Sequence, residues 1–332
     1  MTPAVAAPAA PADAAARPDA AHGAASRGFA WGVLGVLVFA LTMPMTRLAV
    51  GSEAAPQLPP AFVTAGRAAV AGLLSLAWLW LAAGRPDEAR ARGRPHLPPR
   101  ELWPALAVSA LGTVLGFPLG LAMALRDVPA MHASVVTGVM PLCTAVAAAV
   151  ALGQRASAGF WLCAVSGCAL VVAFAFVAGG GRVVAADGWL AFAVVTGAIG
   201  YVAGVRASLH LGAERAICWV LVLSLPLSLP AMLAAAPPAA VLQAATPAAW
   251  AGFAYVAVFS MWLGFFAWYR GLALGGVLRV SQAQLAQPFI ALVAAVPLLG
   301  EALEPLTVGF AIAVAAVVFA GKRMPVAAPT RG

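Results

Sequence analysis

Ten runs of about 20 mostly apolar residues, separated by short polar connections, leave this chain few ways to fold, because each is as long as a helix that crosses a bilayer. They fall near 28–50, 59–83, 102–125, 130–152, 157–178, 188–208, 216–236, 249–270, 277–299 and 305–321. Inside lipid every backbone N–H and C=O must be satisfied within its own segment, so such runs become helices. Composition agrees: 63% of residues are apolar and 9% charged, whereas a soluble domain carries about 25% charge. The expected fold class is an all-α integral membrane protein of ten transmembrane helices, with the lipid bilayer as its first partner.

The charges that remain report orientation. Nineteen basic residues stand against 11 acidic ones, for a formal net charge of +8, and nearly all fall between the apolar runs. That placement speaks for membrane topology and against nucleic-acid binding. With a cytoplasmic N-terminus, Arg17, Arg27, Arg85, Arg90, Arg92, Arg94, Arg100, Arg155, Arg206, Arg215, Arg270, Arg279, Lys322, Arg323 and Arg331 fall inside, and Arg47, Arg126 and Arg182 outside. The asymmetry predicts both termini and the loop 84–101 in the cytoplasm. Residues 1–27 are Ala/Pro-rich, lack a basic start leading into a short apolar core, and read as a disordered cytoplasmic tail; 322–332 form a second tail. Cys143, Cys163, Cys168 and Cys218 lie within apolar runs, without a Cys-x-x-Cys or a His at ligand spacing, so neither a metal nor a cofactor is expected.

The chain also repeats itself. Laying residues 124–154 on 271–301 without a gap matches Leu125 to Leu272, Ser134 to Ser281, Pro141 to Pro288, Val146-Ala147-Ala148 to Val293-Ala294-Ala295 and Leu152-Gly153 to Leu299-Gly300, and the same offset carries Trp103 onto Trp250. An internal duplication explains this register. It divides the chain into five-helix repeats over 28–178 and 188–321, joined by the linker 179–187 with Gly179-Gly180-Gly181 as hinge. Five is odd, so the second copy enters the membrane from the opposite side, and inverted repeats build a midplane site that opens alternately to either face.

On these residues the chain resembles the EamA family of the drug/metabolite transporter superfamily. The family pattern of an early proline in the fourth and ninth helices, followed by a Leu-Gly-Glu turn, is met by Pro288 with Leu299-Gly300-Glu301, and by Pro141 with Leu152-Gly153-Gln154. The stretch from Pro60-Ala61-Phe62 to Arg67 is similar to the family's entry into helix two. The sequence departs from the pattern at Gln154, and at Thr42-Met43-Pro44-Met45-Thr46-Arg47, where many relatives carry a lysine. The resemblance spans nearly all of 28–321 and implies a permease exporting amino acids or related compounds.

Several residues could carry such a task. Ser134, Thr137, Pro141 and Thr144 share one face of helix four, and the duplication places Ser281, Gln284 and Pro288 likewise on helix nine. Two symmetry-related polar faces, each bent by a proline that frees a carbonyl, suit a central substrate path, with Pro141 and Pro288 as gating bends. Interhelical hydrogen bonding is the alternative. Arg67 lies about 12 Å into helix two at the helical rise. It must snorkel, meet an outer acid such as Asp127 or Asp187, or face a wet cavity and hold an anionic group. Trp262, sharing a stripe with Tyr255 and Tyr269, could stack on substrate or simply pack.

Other polar residues read as structural. Glu304-Pro305 is an N-cap followed by a first-turn proline, with Glu301 beside it at a helix start. Thr196, Gly200 and Gly204 form a small-residue packing face, and His132 and His210 are expected at solvated helix ends.

The predicted function is transport of a small organic metabolite by alternating access, as monomer or homodimer. The rivals are a membrane-embedded enzyme and a sensor or assembly protein. The spans contain no paired aspartates and no nucleophile beside a base, and no soluble sensor domain is present. No Asp or Glu falls within a predicted span, so facilitated transport or exchange is expected, with any proton coupling routed through His132 or Glu301.

Overall fold

The computed structural model describes residues 18–83, 97–151, 155–275, 280, 282–324 and 326–327. Among these, nine helices are long and apolar enough to cross a membrane: α1 (Ser26–Val50), α2 (Pro60–Ala82), α3 (Arg100–Ala124), α4 (Ala130–Ala151), α5 (Ala158–Ala178), α6 (Ala185–Leu211), α7 (Ala213–Ala234), α8 (Pro247–Leu272) and, last in the chain, α10 (Pro305–Arg323). A shorter apolar helix, α9 (Ala283–Leu299), completes the set of ten. Polarity is turned inside out relative to a soluble protein. Leu162, Val165 and Val172 of α5 and Val195 and Ile199 of α6 are exposed, while Thr42, Thr46, Arg67, Thr113 and Ser260 are buried. The lipid-facing surface is apolar, and the hydroxyls lie between helices.

The pairing of helices carries the duplication into three dimensions. Helix α1 packs on α8, α2 on α7, α3 on α6, α4 on α9 and α5 on α10. Exchanging each helix of one half for its counterpart in the other returns the same pairs, since α1 with α8 becomes α6 with α3 and the remaining three map onto themselves. The contacts of α2 with α8 and of α7 with α3 interchange in the same way. Two five-helix repeats of opposite orientation, related by an approximate two-fold axis in the membrane plane, have this property.

Contacts between chain turns sort them onto two faces. On one, Glu53 N donates to Arg126 O at 2.9 Å, Thr246 N to Gln57 Oε1 at 2.9 Å, and Ala130 N to Glu301 Oε1 at 2.7 Å. On the other, β1 (Arg155–Ala156) pairs antiparallel with β2 (Val326–Ala327) near the C-terminus. The first is called here the opposite face and the second the terminal face. Between the halves, Gly180 and Gly181 have φ of 65° and 87°, a conformation that only glycine adopts cheaply, so the predicted hinge is a tight glycine turn.

Two helices begin three residues before the starts predicted for them, farther ahead than any other span. Helix α6 starts at Ala185 rather than 188, because Asp187 Oδ2 accepts Val184 N at 3.0 Å and caps its first turn. Helix α7 starts at Ala213 rather than 216, after Gly212 turns the chain at φ 82°. The expectation that no acid lies within a span is therefore overturned, since Asp187 and Glu214 stand in the first turns of α6 and α7.

Candidate functional site

Three interruptions in the helices fall just before prolines. A proline lacks its N–H and crowds the carbonyl four residues earlier, so it opens the helix there. Pro44 sits beyond a turn at Leu41 in α1, Pro141 beyond Gly138-Val139 in α4, and Pro288 beyond the 3₁₀ stretch Gln282–Ala286 in α9. Helices α3 and α8 carry π-helical segments, Ala110–Gly116 and Tyr255–Leu263. The offset that joins Pro141 to Pro288 moves the first segment onto 257–263, so the wide turn is duplicated too. Such segments recur at functional sites because they re-aim side chains out of the helical register.

The π segment of α8 aims Ser260 at the other half. Ser260 Oγ accepts from Arg67 Nη2 at 3.2 Å and shares a 2.8 Å hydrogen bond with Thr42 Oγ1. Arg67 is only 3% exposed, and its Nε and Nη1 have no hydrogen-bond partner among the described residues. Thr46 lies one turn from Thr42, and Thr64 one turn from Arg67; both hydroxyls are buried without a partner among the described residues. Three helices from two halves thus meet through Arg67, Ser260 and Thr42, with two further buried hydroxyls one turn away on α1 and α2. Snorkelling of Arg67 and its pairing with Asp187 are both overturned, the first by its burial and the second because Asp187 is engaged elsewhere.

That other engagement lies towards the opposite face. His132 Nε2 and Asp187 Oδ1 are 2.7 Å apart, both residues 7% exposed, with the His132 ring against Phe174 at 4.9 Å. His132 is therefore a buried partner joining α4 to α6, not the solvated helix end the sequence suggested. His210 is exposed, with Nδ1 3.0 Å from Arg206 O. Glu301 takes Ala130 N on Oε1 and Met131 N on Oε2, the latter at 2.9 Å, and so caps α4 rather than the helix that follows it. Arg47 donates to Leu125 O and to Val128 O, the latter at 3.3 Å. The entry of α4 is thereby clasped by α1, by α6 and by the turn between α9 and α10.

The remaining predicted residues divide. Pro141, Pro288 and Gln284 do meet: with Val135, Gly138 and Leu285 they line a cavity of about 10 Å³ at the α4–α9 crossing, room for roughly one water. Ser134 and Thr137 are buried and donate to Ala130 O at 2.8 Å and Ala133 O at 2.7 Å, within their own helix. Thr144 does the same to Met140 O at 2.9 Å. Ser281 and Gln154 lie outside the described residues. The aromatic stripe of α8 disperses. Tyr255 stacks on Phe259 at 5.4 Å and donates to Val38 O at 3.0 Å, Trp262 packs edge-on against Phe266 at 5.2 Å, and Tyr269 meets Phe265 at 6.1 Å. Sequence reasoning missed Thr42, Thr46, Thr64 and Ser260, although the offset that carries Thr113 onto Ser260 could have singled out the last.

Ten apolar helices in two opposed repeats, with a polar cluster held between the halves, define an integral membrane protein of the carrier class. The EamA-like transporter family matches the chain twice, over residues 26–177 and 184–321, and the chain belongs to that family. It is 38% identical over 298 residues to the uncharacterized transporter YdeK of Bacillus subtilis (strain 168), a match covering 90% of this chain and 98% of that one. A crystal structure of a protein 19% identical in sequence matches its fold with a TM-score of 0.57, over 91% of this chain and 96% of its own. The resemblance read from the Pro and Leu-Gly-Glu pattern is confirmed, and the chain is a multi-pass membrane transporter.

Proposed function

We propose that the protein moves a small organic metabolite, an amino acid or a related compound, across the bacterial inner membrane by alternating access. The observation that carries this reading is the buried cluster of Arg67, Thr42 and Ser260, because it is assembled from both halves and lies within membrane-spanning segments. A rocking of one half against the other would open and close the cluster as a unit. Pro141 and Pro288, facing each other at the α4–α9 crossing, supply bends about which it could occur. In this reading the terminal face is cytoplasmic, as the arginine distribution requires, and the state described is closed at the external, opposite face by the clasp on α4.

In proteoliposomes of purified protein, uptake of labelled amino acids is expected to rise several-fold when unlabelled amino acid is trapped inside, because exchange spares the carrier its empty return. Uptake of amino acids, nucleosides and cationic drugs no greater than in protein-free vesicles would contradict the transport reading.

Orientation has its own test. With the four native cysteines replaced, Glu53→Cys, Arg182→Cys and Leu242→Cys should react with an impermeant thiol reagent in intact cells. Arg92→Cys should react only after permeabilisation. Labelling of residue 92 from outside would invert the assignment.

A further inference from the structure

Arg67 is too costly to be an incidental core residue. A guanidinium within a membrane span is expensive to insert, and it is tolerated where it meets a partner or a polar path. Here it is 3% exposed, and among the described residues one acceptor, Ser260 Oγ, meets a group with five N–H donors. Nε and Nη1 have no acceptor among the described residues, and Asp187 is paired with His132 in another part of the fold. The hydroxyls nearby in the fold both donate and accept: Ser260, bonded to the guanidinium and to Thr42, and Thr46 and Thr64, buried and unpartnered among the described residues one turn from Thr42 on α1 and from Arg67 on α2. A site with one fixed positive charge, spare donors and hydroxyls is complementary to an anion that brings several acceptor lone pairs.

We propose that Arg67 recognises a carboxylate on the transported molecule, with Ser260 holding the guanidinium in place and Thr46 and Thr64 supplying further hydrogen bonds. This deepens the transport reading and rests on it. One carboxylate cancels one guanidinium, whereas a phosphate monoester carries about −1.5 to −2 at neutral pH and would leave charge unbalanced in a dry site. The arginine serves specificity more than affinity: a substrate lacking the carboxylate leaves the buried N–H groups unpaired, and that loss discriminates.

The test uses competition in proteoliposomes loaded with unlabelled amino acids and given a labelled amino-acid mixture outside. Competitors are the same amino acids, their primary amides, which keep the shape and lose the anionic charge, and phosphoserine. In the unmodified protein the acids are expected to compete about tenfold or more better than the amides, the equivalent of one charge-assisted hydrogen bond. The preference should shrink in Arg67→Lys, which keeps the charge and loses the fork, and vanish in Arg67→Gln. Amides that compete as well as acids would overturn the inference while leaving transport intact, and so would a preference that survives in Arg67→Gln. If Arg67→Gln does not reconstitute, Thr64→Val decides, because it leaves the guanidinium untouched: a reduced preference for acids over amides supports the site, and an unaltered preference contradicts it. Phosphoserine inhibiting more strongly than serine would replace the carboxylate by phosphate and overturn the assignment. Absence of labelled uptake in every case removes the transport reading, and the inference with it.

Discussion

Gly200→Leu is expected to leave no correctly assembled protein, while Gly188→Leu, earlier in the same helix α6, is expected to change nothing. At Gly200 an added Cβ would lie 2.7 Å from Thr113 N and 3.0 Å from Gly112 Cα, both backbone atoms of α3 that cannot rotate aside. Its counterpart is as tight, since a Cβ on Gly112 would meet Thr196 O at 2.4 Å. Relieving such a clash requires α3 and α6 to move apart along their length, which unpacks the crossing that joins the two halves. Overpacking costs typically ~1–3 kcal/mol where side chains can yield, and here the obstruction is main chain. Around Gly188 nothing lies within 4 Å, and the same holds for Gly309 on α10, so leucine at either would face lipid. Size-exclusion profiles and unfolding temperatures in detergent separate the two outcomes. A monodisperse Gly200→Leu protein with an unchanged unfolding temperature would show that the small-residue face of α6 is dispensable.

Much of this fold can be read from the chain because a bilayer simplifies the physics. Length and apolarity alone place helices when no backbone group can go unpaired, and prolines at 44, 141 and 288 follow openings in α1, α4 and α9, whereas Pro226 and Pro230 lie within an unbroken α7. The duplication was legible for a similar reason: Pro, Gly and Trp matches in one register are hard to reach by chance in a chain rich in alanine. What stayed hidden depends on faces and partners. In a helix apolar all round, hydrophobic periodicity no longer tells which side is buried, so the sequence could not say that Arg67 turns to Ser260 and Thr42. The π segments of α3 and α8 leave no trace in composition, yet they decide which α8 side chains point at the other half. His132 and Asp187 are 55 residues apart and belong to different halves; each alone reads as a polar residue at a helix end. Glu301 was correctly read as serving a helix N-terminus, but the helix it serves is α4, reached only by folding. Ser134 and Thr137 illustrate the converse, polar residues whose donors are already spent on their own backbone. The expectation of transport without a membrane carboxylate also loses its premise, because Asp187 is in α6 and buried.

The clasp on α4 gives the second large effect. Three attachments hold the entry of this helix, and two of them span the halves: Glu301 with Ala130 and Met131, and His132 with Asp187 at 2.7 Å. Alternating access requires this face to open, so the pair must part in each cycle. Removing one member would strand a buried charge, at a cost of about 3–5 kcal/mol, whereas replacing both leaves none uncompensated. His132→Cys with Asp187→Cys, in protein lacking Cys143, Cys163, Cys168 and Cys218, is therefore expected to assemble and to exchange labelled amino acid while reduced. Bridging the two thiols with a short bis-methanethiosulfonate should arrest exchange nearly completely, and a reductant should restore it; His132→Cys with Asp187→Asn, and His132→Gln with Asp187→Cys, which have one thiol each and strand no charge, should be unaffected by the same treatment. Exchange by the bridged protein at the rate of the reduced one would contradict the account, because transport would then proceed without the opposite face ever opening.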